Sequence, residues 1–152
     1  MQYANLFSPT GLNDTLQRIN NLSPSTQAQW GKMSVDQMLA HCNVAYDMCY
    51  DESLPKAKGI KLWMLKLLVK NQVCGEKPYP KNGRTAPEFI ITGKRDFEAE
   101  KAKLIDYMQK TQQHGETTFE GKQSVSLGKL TAKEWNTTFS KHLDHHLRQF
   151  GV

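Results

Sequence analysis

A chain of 152 residues with 38% hydrophobic residues and a formal charge of +5 is about one domain's worth of sequence, and residues 1–152 read as a single domain. Its apolar residues are clustered rather than dispersed, which excludes a disordered chain. Three cysteines without CxxC spacing exclude a disulfide framework and suit a reducing compartment. The first residues lack a basic stretch followed by an apolar run, so no leader is read and a cytoplasmic location is expected. The longest apolar stretch, residues 62–69, is interrupted by Lys66 and falls far short of the roughly 20 residues that span a bilayer. The basic residues are spread along the chain with no run of four. A solvated surface is therefore expected, with neither a nucleic-acid nor a membrane partner.

Four helical segments are predicted in chain order. The first covers about Pro9 to Asn21, with Ser8 placed to cap it and Pro9 suited to its first turn. The second begins after Ser34, where Ser34 and Gln37 form an S-x-x-Q capping box, and it frays near Asp51, ahead of Pro55. The third runs from about Asp96 to Gln113 and stops at His114-Gly115. Its apolar residues Phe97, Leu104, Ile105 and Met108 recur at helical spacing. The fourth starts at a second capping box, Thr131-Ala-Lys-Glu134, and continues to the C-terminus.

About 45 residues separate the second and third segments, too many for an antiparallel hairpin. They suit a crossover that brings the third helix parallel to the second in a four-helix bundle. Within the crossover, Gly59 to Val73 reads as a further helix. Its apolar side chains cover most of the circumference and its lysines do not gather on one face. Packing over the bundle or into a second subunit is expected of it. Trp30, Trp63 and Trp135 are read as packing residues.

Chemistry concentrates in Lys141-His-Leu-Asp-His-His-Leu-Arg-Gln-Phe150. At about 100° per residue, His142 and His146 lie within about 20° of Trp135, beside or inside the apolar arc of Phe139, Leu143 and Phe150. Residues at i and i+4 are neighbours, so the two imidazoles can grip one ion at roughly 2.0–2.1 Å per nitrogen. The competing reading of such a pair is core histidines with hydrogen-bond partners. His145 points to one side and Asp144 outward. A third ligand must be His41 or His114. His114 ends a helix beside Gly115 and is expected in water, whereas His41 lies opposite Asp36, Asn43 and Asp47 on the inward side of its helix. Gln37, one turn earlier, is expected to orient the His41 ring or a bound water. His145 and Gln149 are the nearest candidates for a catalytic base, and for Gln149 a helix-end hydrogen bond competes. Cys42 is read as a buried, inert thiol.

The residues Trp30-Gly-Lys-Met-Ser-Val-Asp-Gln-Met-Leu-Ala-His-Cys42, Lys77-Pro-Tyr-Pro80, Thr85-Ala-Pro-Glu-Phe89, Leu127-Gly-Lys-Leu-Thr-Ala-Lys-Glu-Trp135 and 141–152 resemble a branch of the DinB-like (YfiT-like) metalloenzyme superfamily. The likeness covers roughly residues 28–152. It implies an all-α, up-down-down-up four-helix bundle and a three-histidine site made of His41, His142 and His146. It also implies a homodimer. It assigns no reaction, since relatives include thiol transferases, isomerases and hydrolases. His145 beside a ligand, and Leu147 where a small polar stretch is common, depart from many relatives and leave the pocket's shape open.

Three neutral imidazoles leave open positions on a divalent Zn, Ni, Fe or Mn ion, which marks a catalytic site rather than a closed structural one. The expected function is a metal-dependent enzyme acting on a small molecule, with S-transfer from a low-molecular-weight thiol as its reaction. The alternative is a non-catalytic metal- or ligand-binding bundle that works through dimerisation or partner docking.

Overall fold

The computed structural model describes residues 3–152. Met1 and Gln2, the start of the stretch read for a leader, lie outside the described residues. The chain is mostly helical, with six α-helices and a single two-stranded hairpin among the described residues. Helix α1 spans Pro9–Asn20, α2 Val35–Tyr50, α3 Gly59–Leu68, α4 Lys70–Cys74, α5 Phe97–Phe119 and α6 Ala132–Gln149. Strands β1 (Gln123–Ser124) and β2 (Gly128–Lys129) pair antiparallel, Gln123 opposite Lys129. No described helix is long and apolar enough to cross a membrane.

Local chemistry starts the helices where the sequence predicts. Ser8 Oγ accepts the Gly11 N–H at 3.1 Å, and Gln37 Oε1 accepts the Ser34 N–H at 3.2 Å. Thr131 and Glu134 cap each other's backbone at 3.2 and 2.9 Å. Each contact satisfies a backbone donor that the first turn leaves free. The predicted stop at His114-Gly115 is a break rather than an end. Gly115 adopts φ 67°, ψ 173°, and one more turn follows to Phe119. That turn places Phe119 in the core, with no exposed surface, which offsets the interruption.

Helix α2 packs on α5 and α6, α1 packs on α5, and α5 packs on α6. The core between them holds Ile19, Met38, Leu39, Tyr46, Leu104, Met108, Trp135, Phe139, Leu143 and Leu147. Tyr46 stacks on Phe139, with ring centroids 4.3 Å apart. All three cysteines are free, and Cys42 is buried.

The helix in the crossover between α2 and α5, expected to pack over the bundle or into a second subunit, meets the core with one face only. Leu65, Val69 and Val73 pack against the core, but no residue of α3 is fully buried. Trp63 is not a packing residue. It is 60% exposed, beside Ile60 (72%), Leu67 (65%) and Leu68 (67%). A helix of three turns laid on the outside of the core covers it with one face only, so an apolar opposite face stays in solvent.

Lys141 anchors this crossover. At about 100° per residue it lies about 120° from Trp135, outside the apolar arc of α6. The crossover nevertheless leaves it only 1% exposed. Its Nζ donates to the carbonyls of Gln72 (2.7 Å), Gly75 and Lys77 (3.3 Å) and sits 4.5 Å from the Tyr79 ring centroid. One ammonium thus saturates three donors on the carbonyls at the end of α4, and burial pushes its pKa below the usual lysine value. Replacing Lys141 by Met removes three charge-assisted bonds at once, a loss partly offset because an ammonium is no longer buried. We expect Lys141→Met to lower unfolding stability by about 2–4 kcal/mol and to speed amide exchange in residues 70–80. Equal stability in denaturant titrations of the two proteins would refute this role.

Candidate metal centre

The two capping boxes set the phase of α2 and α6, and that phase turns one histidine of α2 and two of α6 toward each other. His41 and His146 are buried and His142 is partly so. One ring nitrogen from each of the three lies within 4.8 Å of the others. His41 Nε2 is 2.9 Å from His142 Nε2, and the ring centroids are 4.5–4.8 Å apart.

The remaining nitrogens reveal the tautomers. The Phe89 carbonyl lies 2.8 Å from His41 Nδ1. A carbonyl only accepts, so Nδ1 carries the proton and the neutral ring's lone pair sits on Nε2. Gln149 Nε2 donates to the Trp30 carbonyl at 2.7 Å, which turns Gln149 Oε1 toward His146 Nδ1, 2.8 Å away. His146 Nδ1 is therefore the donor, and its lone pair also sits on Nε2. Both anchors are of the kind that fixes ring orientation in metal-ligating histidines.

Burial and mutual proximity keep the rings neutral. Burial lowers the pKa of His41. Burial first, then the neighbouring His146 and His41, hold His142 well below the ordinary histidine value. Burial, then His41, brings His146 down to about 3. The three rings are thus neutral rather than cationic, which is the condition for holding a cation.

Each predicted site residue has a definite place. His41, His142 and His146 come together. His114 is exposed at the α5 break, edge-on to Tyr50. Gln37 does not orient His41. Its Oε1 is used in the Ser34 cap and its Nε2 donates to the Gly93 carbonyl at 3.0 Å, so both ends are committed away from the imidazoles. Nor does Gln149 serve as a base, because its carboxamide is engaged with His146 and the Trp30 carbonyl and a neutral amide does not take up a proton near neutral pH. His145 stands beside the cluster, its ring 5.0 Å from that of His146, with Trp30 and Tyr79 edge-on to it. It also lines a cavity of about 180 Å³ with Trp30, Tyr79, Lys81 and Arg148. Burial raises the Cys42 pKa strongly, leaving an inert thiol.

Two residues of the centre escape a reading by helical phase, Phe89 and Trp30, because each acts through a backbone carbonyl delivered by a loop. Phe89 ends the 3-10 turn Pro87–Phe89, and its ring also packs edge-on to His41 and His142. Trp30 precedes Gly31, whose φ is 83° and where a Cβ would lie 2.5 Å from Gln149 Nε2. Glycine lets that loop close on the end of α6.

Fold and site together define a mostly helical protein with a buried three-histidine cluster able to hold a metal ion. The chain belongs to the family described as protein of unknown function DUF1569, which it matches over residues 5–151. No curated protein and no solved structure matches it.

The depressed histidine pKa values make stability pH-dependent with a definite sign. The unfolded chain binds protons below about pH 6.5, whereas the folded rings resist protonation, His146 down to about 3. The unfolded state then holds more protons, so stability rises with pH. We expect the metal-free protein to keep full stability above about pH 6.5 and to lose it progressively as the pH falls, read as a drop in Tm between about pH 7 and 5. A flat Tm over that interval would count against the buried neutral cluster.

Proposed function

We propose that the chain is a DinB-like four-helix bundle, built from α1, α2, α5 and α6 in up-down-down-up order, and a divalent-metal-dependent thiol S-transferase. Its ligands are His41, His142 and His146. The observation that carries the reading is the pair of acceptors, the Phe89 carbonyl and Gln149 Oε1, each 2.8 Å from the Nδ1 of His41 or His146, which directs the Nε2 of both rings to the cluster. The His41 lone pair then accepts from His142 Nε2–H at 2.9 Å, and an ion that displaces this proton would gain both nitrogens as ligands.

The donor set fits a first-row ion. Metal–imidazole distances of roughly 2.0–2.1 Å place adjacent ligand nitrogens about 2.9–3.4 Å apart for bond angles between octahedral and tetrahedral. The 2.9 Å between His41 and His142 Nε2 matches adjacent positions, whereas the three nitrogens together lie within 4.8 Å and must draw inward to hold one ion at these bond lengths. Imidazole ligands suit Zn, Ni and Fe, with Mn the weakest of these binders. When bound, such an ion lowers the pKa of a thiol or water at its open positions.

The histidines hold that charge, and Gln149 and Phe89 orient two of them. His145, half-buried and held neutral by burial, is the residue placed to accept a proton. A three-histidine set can activate either a thiol or water, and what favours a thiol is its own acidity. The cluster contains three histidines and no carboxylate among the described residues. A thiol with an ordinary pKa of about 8.5 needs far less help than water, at about 15.7.

The test is elemental analysis of untagged protein with Zn, Ni, Fe or Mn offered, alongside variants. We expect about one ion per chain, lost in His41→Ala and in His142→Ala/His146→Ala while the helical circular dichroism is retained. Gln149→Leu should bind metal about 10–100-fold more weakly. Failure of the wild type to bind any of the four ions overturns the reading. Stoichiometric metal without turnover of any thiol–electrophile pair leaves a non-catalytic binding bundle in its place.

A further inference from the structure

The outer face of α3 has a chemistry that the metal centre does not use. At about 100° per residue, Ile60, Trp63, Met64, Leu67 and Leu68 fill one continuous arc of about 140°. All five are exposed. The opposite arc, with Leu62 and Leu65, faces the protein, and Leu65, Val69 and Val73 continue that contact into α4. Lys61 borders the outer apolar arc about 20° beyond Leu68, whereas Lys66 lies about 60° beyond Trp63 with its side chain against Gly128; both residues are exposed. Apolar side chains at i, i+3, i+4, i+7 and i+8 form a stripe of the kind that a helix buries, yet here the stripe points away from the core.

Charge indicates what would cover it. Residues 53–75 hold Lys56, Lys58, Lys61, Lys66 and Lys70 and no Asp or Glu. Only Lys70 among these is neutralised by a neighbour, bridging Glu134 at 2.7 Å. An isologous contact with a second copy would set this face against itself. Lysine flanks would then meet lysine flanks with no acid in the segment to pair them. An anionic lipid surface provides both missing halves, acyl chains for the stripe and negative headgroups for the flanks. Lysine stems can lie along the apolar boundary with their ammonium groups at headgroup level, and a tryptophan suits that interface.

We propose that α3 is a membrane-surface helix, lying in the plane of anionic bilayers with Trp63, Leu67 and Leu68 inserted and Lys61 and Lys66 on phosphate. Ten residues with an apolar face on one side and the protein on the other lie on a bilayer rather than cross it. Association is reversible, and each lysine near the surface contributes about fivefold to partitioning. The metal centre's ligands lie on α2 and α6 and take no part, so the proposal stands or falls apart from the function proposed above.

The test is flotation of the full chain with vesicles of phosphatidylcholine alone and with about 30% phosphatidylserine or phosphatidylglycerol added. We expect binding to anionic vesicles that weakens steeply with salt, a blue shift of tryptophan emission, and little binding to phosphatidylcholine. Trp63→Ser/Leu67→Ser should reduce binding at least tenfold, and Lys61→Glu/Lys66→Glu should abolish its salt-sensitive part. Both pairs are exposed, and unchanged circular dichroism and metal content will show the fold intact. Absence of binding to anionic vesicles at low salt overturns the proposal. So does a concentration-dependent dimer that Leu67→Asp dissociates, which would make a second copy the occupant.

Discussion

Three imidazoles placed within reach of one another in a largely buried junction impose the constraint on which this structure turns. Neutral histidine has one donor and one acceptor nitrogen, and neither can be left unpaired inside a protein without cost. His41 and His146 settle their donors on the Phe89 carbonyl and Gln149 Oε1. Everything that delivers those two acceptors becomes part of the centre. The Pro87–Phe89 turn must reach α2, and the Trp30–Gly31 loop must hold Gln149 in place at the end of α6. The parts of the chain outside the two ligand-bearing helices therefore serve to set the direction of two lone pairs.

Lys141 plays the matching part on the other side of α6. Its neighbour in sequence, His142, points into the cluster while Lys141 gathers the carbonyls of Gln72, Gly75 and Lys77. A buried ammonium is tolerated because its three donors are all used. The same helix thus faces the histidine junction with one edge and fastens the crossover with the next. This coupling leaves α3 fixed at its C-terminal side and open along its outer face.

The two apolar faces of α3 show how a helix can satisfy the core and still keep surface for something else. Leu65 contributes to the interior, while Trp63 and Leu67 lie in solvent on the far side. Apolar side chains around most of a helix usually signal full burial. Here the element is short and lies on the periphery, and a peripheral helix has one neighbour instead of several.

Helix starts, the inward phase of His41, His142 and His146, the burial of Cys42 and the exposure of His114 were all legible in the sequence. They follow from local rules: capping chemistry and a period of about 3.6 residues. The break at Gly115 was legible too, although the extra turn to Phe119 was not, since it is held by core burial. Tertiary structure alone decided what completes each side chain. Gln37 has the right spacing to serve His41 yet is claimed by its own helix cap and by Gly93. Gln149, Phe89, Trp30 and Lys141 acquire their roles through backbone carbonyls, which every residue possesses and no residue type announces. Likewise, the period of α3 marks its apolar positions, but only the placement of the crossover determines which of them meet the core and which meet solvent.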